Sequence, residues 1–370
     1  MNQKKQIICF LVAGEFTNIN REAYYLKTLE QHGIEYLILD ITALIFTSRT
    51  LNNSQHKDIY QISTYSELIM YFKSISSRSL VFNAINFELR FYKLFIILRY
   101  FNFFGYRQGI ILSMNLPPLT KRNQSLRFMK NILFNTLYKI GVFKKKDFAF
   151  VAGNILESSY PAKKIICIHS FLYDDSIKES TTRLINENYI VFLDQDLPYH
   201  LDLVNAGYNL DKHFANEYFK NMKVFFSKLE SVLKCKVIIA LHPKGDHVKA
   251  SSNYERMVHQ YKTEQLVKYA ELCITHCSTS LGYAVLYKKP IVFLSSDLIE
   301  TKLYRIDTAI HQFASYFKQK VILANQDIVR SKLHFNEQRY ENYKFDYLMN
   351  PKYKSSSSSE IFIKELKCLM

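Results

Sequence analysis

Two polar stretches in the second half of the chain hold side chains that can bind an anion. Residues His242–Lys244 follow the apolar run Cys235–Leu241, and residues Ser278–Ser280 follow the apolar run Leu272–Cys277. An imidazole and an ammonium group attract a phosphate, and the hydroxyl and N–H groups at the start of a helix can hydrogen bond to it. The two stretches therefore predict a phosphate site, and a sugar nucleotide is the ligand that we expect there.

The elements around these stretches alternate between strand and helix. Thr263–Ala270 has helical spacing, the segment from Ser278 to Leu286 has it again, and Ile291–Leu294 is a short apolar run of strand type. Such an alternation is typical of a parallel sheet, whose ligands bind beyond the carboxyl ends of the strands. Both polar stretches come at strand ends, so we expect them to face one crevice.

The first half of the chain has the same alternation. Gln6–Ala13 predicts a strand, Asn20–Gln31 a helix and Ile34–Ile41 a second strand, which is how Rossmann-type domains open. The fold class that we predict is α/β, with two Rossmann-type parallel-sheet domains facing a cleft. The predicted boundaries are 1–175 for the first domain, 176–187 for a linker, 188–345 for the second domain and 346–370 for a Ser-rich linker with a final helix.

The two polar stretches also carry a resemblance to a known family. The strand-final His242-Pro243 and the later Ser278-Thr279-Ser280 helix start resemble the HP and Ser/Thr motifs of bacterial sialyltransferases and related GT-B glycosyltransferases of surface polysaccharide synthesis. In that family the histidine and the serine/threonine pair hold the phosphate of a CMP-sugar donor. The resemblance spans roughly Tyr189–Leu294. It implies a GT-B-like fold and inverting transfer of a CMP-activated sialic-acid-like sugar onto a capsule or lipopolysaccharide glycan.

Several residues are candidates for binding the donor and for catalysis at such a site. Contacts to the donor are predicted for His242, Pro243, Lys244, Ser278, Thr279 and Ser280. His242 would also stabilise the leaving phosphate, although a histidine before a proline can simply close a strand, and the serines can simply cap a helix. The proton of the acceptor hydroxyl would pass to a cleft carboxylate, with three unranked candidates: Asp194, Asp174 and Asp175.

Two acidic motifs bear on the choice of base and on metals. Asp174-Asp175-Ser176 is similar to the paired acidic motif that supplies the base in sialyltransferases, but it lacks the glycine with which that motif normally ends. Asp194-Gln195-Asp196 has the form of the DxD metal motif of the other glycosyltransferase fold, a pattern that also arises by chance. GT-B enzymes generally do not need such a metal, so we predict no metal and no cofactor besides the nucleotide-sugar substrate.

Composition narrows the classes of partner. The chain has 49 Lys and Arg against 33 Asp and Glu, a formal net charge of +16, which attracts anionic sugar nucleotides, anionic lipid or nucleic acid. No zinc-finger spacing or RNP-like motif is present, so we predict no nucleic-acid partner. The few glycines form neither GxGxxG nor a Walker loop, which disfavours dinucleotide and P-loop proteins. Six cysteines without a CxxC pattern predict reduced thiols and a cytoplasmic protein.

The basic segment Lys121–Lys146 has two interpretations. Its apolar residues recur at helical spacing with basic residues between them, which fits a core-packing helix with a solvated basic face. The same pattern fits a helix lying on the anionic inner face of the cell membrane, where a glycan or glycolipid acceptor would be presented. We favour the first interpretation.

Three functional alternatives remain open at the level of sequence. The same fold could use a UDP- or GDP-sugar, because no base-binding residues can be read from the pattern. It could also transfer a polyol phosphate unit from a CDP-linked donor. A third alternative, a scaffold without enzymatic activity at a membrane surface, predicts lipid binding and no affinity for nucleotides.

Overall fold

The computed structural model describes most of the chain, in two compact units. It describes residues 7–14, 16–45, 58–75, 79–85, 91–102, 107–112, 129, 132–133, 136–137, 139–154, 162–178, 183–200, 203–204, 207–326 and 335–370. The first unit holds the described residues up to Phe171 together with Met349–Met370, and the second holds Leu172–Leu348. The predicted basic helix Lys121–Lys146 lies largely outside the described residues.

The first unit is built on a seven-stranded parallel sheet. Its order is β3-β2-β1-β4-β5-β6-β7, so the chain moves outward from β1 in one direction and then returns to start again at β4. The strands are β1 (Ile8–Val12), β2 (Tyr36–Asp40), β3 (Ile59–Gln61), β4 (Leu80–Asn83), β5 (Arg107–Leu112), β6 (Lys146–Ala152) and β7 (Ala162–Ile168). This is the doubly wound arrangement of a Rossmann-type domain.

Side chains of the central strands alternate between two apolar cores. Along β1, Ile8, Phe10 and Val12 enter one core, while Cys9 and Leu11 enter the core on the opposite face. A strand buried on both faces reads as one continuous apolar run, which is why the sequence reveals it. The helices that cover the faces are α1 (Asn18–Ala23), α2 (Leu26–Gln31), α3 (Thr42–Ile45), α4 (Tyr65–Ser74) and α5 (Tyr92–Asn102).

The last helix of the chain belongs to the core of the first unit. Helix α14 (Ser358–Leu369) buries Ile361, Phe362, Ile363 and Leu366 in the same core as Phe10 and Phe82. The serine run before it, predicted as a flexible linker, instead starts this helix: Ser357 and Glu360 form a capping box, and Ser358 is completely buried. The S-x-x-E spacing of a capping box was present in the sequence but was outweighed by the serine composition.

We expect Ser358→Ala to destabilise the first unit. The Ser358 hydroxyl donates to the carbonyl of His169 at 2.7 Å and accepts from the Tyr25 hydroxyl at 2.7 Å. Alanine removes both buried hydrogen bonds, so the free energy of unfolding should fall by about 2 kcal/mol. Denaturant unfolding measures this loss. Ser355→Ala, which changes an exposed serine of the same run, is the matched control, and an equal loss in the two variants would contradict the assignment.

The second unit is built on a six-stranded parallel sheet. Its order is β10-β9-β8-β11-β12-β13. The chain again adds strands outward on one side of its first strand, β8, and then on the other side. The strands are β8 (Tyr189–Leu193), β9 (Lys236–Leu241), β10 (Val258–Gln260), β11 (Leu272–Thr275), β12 (Ile291–Ser295) and β13 (Val321–Leu323). Both units therefore have the parallel, doubly wound sheet that was predicted. The short edge strands β3 and β10 were not predicted.

Helices enclose both faces of this second sheet. They are α6 (Phe171–Ser176, whose first residue is in the first unit), α7 (Lys212–Leu233), α8 (His247–Tyr254), α9 (Thr263–Tyr269), α10 (Leu281–Leu286), α11 (Asp297–Lys302), α12 (Tyr304–Tyr316) and α13 (Glu337–Tyr343). The aromatic face of α7, including Phe214, Tyr218 and Phe226, is fully buried. The stretch Glu300–Phe317, predicted as one helix, is broken at Leu303, whose φ of −126° and ψ of 47° are not helical.

Candidate active site

The carboxyl edge of the second sheet brings three polar loops side by side. Strand β8 lies between β9 and β11, and its last residue Leu193 is in register with Ala240 on one side and Thr275 on the other. The loops that begin at Asp194, His242 and His276 therefore leave the sheet at the same level. After β8 the chain adds β9 and β10 on one side, and it then adds β11, β12 and β13 on the other side. The carboxyl edge between β8 and β11 is therefore the topological switch point, where open α/β sheets bind ligands.

Asp194 lies at the base of the central loop and is buried. Its Oδ1 atom accepts hydrogen bonds from the Tyr254 hydroxyl at 2.8 Å and from the amide of Asp196 at 3.0 Å. Its Oδ2 atom finds no hydrogen-bond donor of regular geometry among the described residues. Burial raises the pKa of Asp194, and hydrogen bonding offsets this only in part. The Asp194 side chain is only 4% exposed, so its position suits holding the loop in shape rather than contacting a substrate.

Asp196 occupies a strained position two residues further on. Its φ of 50° and ψ of 40° place it in the left-handed region, which costs free energy for a residue other than glycine. Burial raises the pKa of Asp196 to about 7, and the nearby carboxylates of Asp194 and Asp246 contribute while Lys249 opposes them. Backbone strain and a shifted pKa together are typical of functional sites. Sequence reasoning noticed Asp196 only as part of a DxD pattern.

Gln195 joins the central loop to the loop after β11. Its Oε1 atom accepts from the amide of Cys277 at 2.8 Å, and its Nε2 atom lies 3.6 Å from the sulfur of the same residue. This pair of contacts spans 82 positions of sequence and fixes the spacing of two loops at the switch point. Nothing in the local sequence around Gln195 indicates such a role.

His242–Gly245 forms a tight turn that is held from the neighbouring strand. The amide of Gly245 donates to the carbonyl of His242 at 2.8 Å. The Gln260 side chain on β10 donates to the carbonyls of Pro243 at 3.0 Å and Gly245 at 2.9 Å, and the Tyr261 hydroxyl donates to Pro243 at 2.9 Å. A Cβ atom at Gly245 would lie 2.8 Å from Leu241 Cδ1, so only glycine fits without displacement. The turn is thus rigid.

The ring of His242 has a defined tautomer in this turn. The backbone amide of Lys244 donates to His242 Nδ1 at 3.3 Å, so in the neutral ring the proton is on Nε2. The His200 ring lies beside it, with the ring centroids 5.3 Å apart. His242 is half-buried and Lys244 is exposed. Two imidazoles and an ammonium group therefore collect at one corner of the carboxyl edge, which favours an anionic ligand.

The turn after β11 uses most of its backbone amides internally. The amide of Ser278 donates to Thr275 Oγ1 at 3.0 Å, and that of Ser280 donates to Ser278 Oγ at 3.3 Å. The amides of Leu281 and Gly282 donate to the carbonyls of Ser278 and Thr279. The prediction of N–H groups available to a ligand therefore fails at these four positions, because the turn closes on itself before α10 begins, and it stays a prediction at Thr279. Ser278 is buried, whereas Thr279 is exposed.

Comparison with known proteins identifies the architecture. No protein-family profile and no curated protein sequence matches the chain. Among solved structures, the calicheamicin glycosyltransferase CalG4 matches with a TM-score of 0.53 at 9% identity over 99% of this chain and 98% of that one. The spinosyn forosaminyltransferase SpnP gives 0.51 at 12% identity over 98% and 99%. The UDP-GlcNAc 2-epimerase of Methanocaldococcus jannaschii gives 0.51 at 14% identity over 98% and 100%.

The chain has the GT-B fold. Both units match along their whole length, so the second unit of this GT-B chain includes the loops described above. At identities of 9–14% these likenesses establish the fold.

The acidic pair before the second sheet of the GT-B chain lies elsewhere. Asp174 and Asp175 are on α6, and Asp175 accepts a hydrogen bond from the Tyr283 hydroxyl of α10 at 2.8 Å and pairs with Lys178 at 3.1 Å. Leu172 of the same helix packs where a side chain at Gly282 would otherwise be. The acidic pair is therefore part of a helix, and the contacts of Asp175 join that helix to α10 rather than to the His242 turn.

Below the central loop lies a hydrogen-bonded aromatic core. His276 Nδ1 donates to the carbonyl of Leu294 at 2.7 Å, and His276 Nε2 accepts from the Tyr218 hydroxyl at 2.9 Å. Burial lowers the pKa of His276 to about 4, so the ring stays neutral at physiological pH. His276 is therefore a satisfied core histidine, as its place inside an apolar run indicated. The rings of Phe192 and Tyr254 complete this support for the GT-B site.

The described residues contain neither a cluster of metal ligands nor a membrane-spanning helix. No group of three His, Cys, Asp or Glu side chains within the described ranges is arranged to hold a metal ion. None of the described helices has the length and apolar character that crossing a membrane requires.

Proposed function

We propose that the protein is an inverting glycosyltransferase that binds a nucleotide sugar at the carboxyl edge of its second sheet. The observation that carries the proposal is the placement of the His242 turn and the Ser278 turn on either side of the Asp194–Asp196 loop, at the switch point of a parallel sheet. Strands β9 and β11 are two strand spacings apart, about 10 Å, which one nucleotide sugar can span.

The proposed donor contacts follow from the chemistry of the two turns. His242 would donate from Nε2 to a phosphate oxygen, and the exposed Lys244 would supply positive charge. The hydroxyls of Ser278, Thr279 and Ser280 would hydrogen bond to the same phosphate or its neighbour. Donors fixed where negative charge develops on the leaving phosphate lower the barrier, because they need no reorganisation during the reaction. The rigid turn held by Gln260 supplies this preorganisation.

We assign the general base to Asp196 rather than to the three earlier candidates. Asp194 is buried and engaged by Tyr254, whereas Asp174 and Asp175 lie on α6, which the hydrogen bond between Asp175 and Tyr283 joins to α10 rather than to the central loop. Asp196 is half-buried, and its pKa of about 7 suits proton abstraction at neutral pH. Asp194, whose Oδ1 accepts from the Asp196 amide, would then be a positioning residue that maintains the strained backbone of Asp196.

We propose two classes of sugar donor, a CMP-sugar first and a UDP-sugar second. The resemblance of the two motifs to those of sialyltransferases supports a CMP-activated sialic-acid-like sugar, transferred to a capsule or lipopolysaccharide glycan. The structure of the Methanocaldococcus jannaschii enzyme contains UDP-GlcNAc and UDP, which supports a UDP-sugar as the second candidate. Neither donor is expected to require a metal ion.

A donor panel tests this function. The protein is incubated with CMP-N-acetylneuraminic acid, UDP-N-acetylglucosamine, GDP-mannose or CDP-glycerol, with and without a bacterial glycan acceptor, and nucleotide release is measured. We expect acceptor-dependent release from one donor class, CMP first, which persists with a chelator. Release from the UDP donor alone would replace the sugar and keep the reaction. No release from any donor, with a folded protein, would overturn the proposal and favour a scaffold.

Gln260→Ala is expected to weaken binding of the donor without unfolding the protein. Gln260 holds the His242 turn through three carbonyls from an edge strand, and it does not line the core of the unit. Loosening the turn should raise KM about tenfold, since misplacement of about 1 Å is costly at a preorganised site. Steady-state kinetics measure the change, and Gln338→Ala on the remote helix α13 is the matched control. A KM equal to that of wild type would show that the clamp has no part in binding.

A further inference from the structure

The positive charge of the chain is concentrated in one stretch. From Leu89 to Lys146 the sequence has twelve Lys and Arg residues and no Asp or Glu. The remaining residues have 37 basic and 33 acidic side chains, so they are nearly balanced. Three quarters of the net charge of +16 therefore comes from 58 consecutive residues. A block of one sign on this scale points to a partner of the opposite sign.

Helix α5, within this stretch, presents an exposed arc of apolar and basic side chains. Tyr92, Ile96 and Tyr100 recur every four residues and are 44–61% exposed. At about 100° per residue, Lys93 and Arg99 lie at the two edges of this arc. The opposite side of the helix, with Phe91, Leu94, Phe95 and Leu98, is buried in the core. One side of α5 therefore packs in the core, and the other presents apolar side chains at the surface.

The described part of the following segment continues this surface. Its side chains Met129, Ile132, Leu133 and Ile140 are 45–67% exposed, and Lys139 and Lys145 are exposed as well. The end of the segment lies beside α5, because the Phe143 and Phe95 rings are 6.4 Å apart and a Cβ at Gly141 would lie 3.8 Å from Arg99 Nη2. We give the name basic apolar surface to the exposed side chains of α5 together with those of Met129, Ile132, Leu133, Lys139, Ile140 and Lys145.

We propose that the basic apolar surface docks the protein on an anionic lipid bilayer. Cations between exposed aliphatic and tyrosine side chains fit the boundary of headgroups and acyl chains, where both kinds of group are stabilised at once. Juxtaposed Lys and Arg gain from the negative potential of anionic lipid. A nucleic acid would pair with the cations, but it would not bury the apolar side chains of Met129, Ile132 and Ile140. This inference is independent of the proposed function, because it concerns only the first unit.

The opposite face of the same sheet provides a matched control. Helix α14 packs in the other core and exposes Lys364 and Lys367, with Glu360 and Glu365 on the same helix. Its two cations match in number a pair taken from the basic apolar surface, but they lie on a helix that also carries Glu360 and Glu365 and whose Ile361, Phe362, Ile363 and Leu366 side chains are buried. Replacing Lys364 and Lys367 by glutamine lowers the net charge by the same two units as replacing two lysines of the basic apolar surface, and it leaves that surface unchanged.

Vesicle flotation of the full chain tests the proposal. The probes are vesicles of phosphatidylcholine and vesicles of three parts phosphatidylcholine to one part phosphatidylglycerol. Wild type should float only with the anionic vesicles. Lys139→Gln with Lys145→Gln should weaken binding about tenfold or more, and Ile96→Ser with Tyr100→Ser should weaken it comparably, since each group contributes to insertion or attraction. Lys364→Gln with Lys367→Gln should bind like wild type. Thermal melting verifies that each variant is folded.

Three results would overturn the proposal. The first is failure of wild type to float with anionic vesicles. The second is an equal loss in the control pair, which would mean that net charge alone drives binding. The third is normal vesicle binding by the Ile96→Ser, Tyr100→Ser variant. Loss of dimers by that variant in size-exclusion chromatography would then reassign the surface to a second copy of the chain, and tight binding of single-stranded RNA would reassign it to nucleic acid.

Discussion

Replacement of His242 by alanine is expected to lower kcat for the donor about 10²–10³-fold, because one fixed hydrogen-bond donor to the developing phosphate charge is lost. The Lys244 amide holds the ring so that Nε2 bears the proton, and the turn itself is fixed by Gly245 and Gln260. The change should appear mainly in kcat rather than in KM, since the leaving phosphate gains charge in the transition state. Steady-state kinetics with the active donor measure it.

The control for this prediction is another histidine of the second unit. His213 is exposed on α7, and His213→Ala removes an imidazole that has no part in the hydrogen bonds of the three polar loops described above. It should leave kcat unchanged. His242→Gln, which retains an N–H donor, should restore part of the lost rate. A His242→Ala enzyme with the kcat of wild type would show that His242 only closes the strand.

Replacement of Asp196 by asparagine is expected to remove the acidic limb of the pH–rate profile. A general base acts when deprotonated, so kcat/KM of wild type should rise with pH and level off above the Asp196 pKa of about 7. Asparagine cannot take the proton, and the rate should fall about 10²–10⁴-fold at all pH values with the limb absent. The measurement is kcat/KM from pH 5 to about 9. A limb that persists in Asp196→Asn would contradict the assignment.

Asp194→Asn separates the positioning role from the catalytic one. The amide oxygen of asparagine can still accept from Tyr254 and from the Asp196 backbone, so the loop should survive and kcat should fall less than tenfold, well below the loss for a general base. Because the charge of Asp194 contributes to the raised pKa of Asp196, the limb should move to lower pH. A rate loss as large as that of Asp196→Asn, with no shift of the limb, would identify Asp194 as the base.

The same raised pKa also has a consequence for stability. A carboxyl whose pKa is higher in the folded state than in the unfolded state stabilises the fold below its unfolded pKa, and this contribution is lost as pH rises through the folded value. Asp196 therefore costs stability increasingly between pH of about 4 and about 7. The Tm advantage of Asp196→Asn over wild type should grow across this range and then stay constant. A carboxylate kept at such a cost is consistent with a functional role.

The fold could be predicted because its signals are local. Strands buried on both faces read as apolar runs, and the helix α7 reads from its aromatic spacing; each requires only neighbouring residues. The carboxyl-edge position of His242 and Ser278 then follows from the parallel arrangement. The serine run before α14 has the composition of a flexible linker, but the capping-box spacing of Ser357 and Glu360 makes it a helix start.

The details of the candidate site could not be predicted, because they depend on contacts far apart in sequence. The hydrogen bond between Tyr254 and Asp194 joins residues 60 positions apart in sequence, and the one between Cys277 and Gln195 joins residues 82 positions apart. The left-handed backbone of Asp196 and the burial that shifts its pKa arise only when these loops are assembled. Three carboxylates looked equivalent in the sequence, and only packing separates the buried Asp194 from Asp175 on its helix.

Calorimetric titration of the protein with CMP, CDP, UDP and GDP is the most direct test of the central claim that the carboxyl edge of the second sheet binds a nucleotide. We predict that one nucleotide, CMP first, binds wild type and His213→Ala equally and binds His242→Ala and Gln260→Ala more weakly. The free nucleotide differs from the intact donor because it already carries the phosphate charge that His242 would stabilise as the bond to the sugar breaks. Failure of all four nucleotides to bind the folded wild-type protein, or binding that is unaffected by both carboxyl-edge variants, would contradict it.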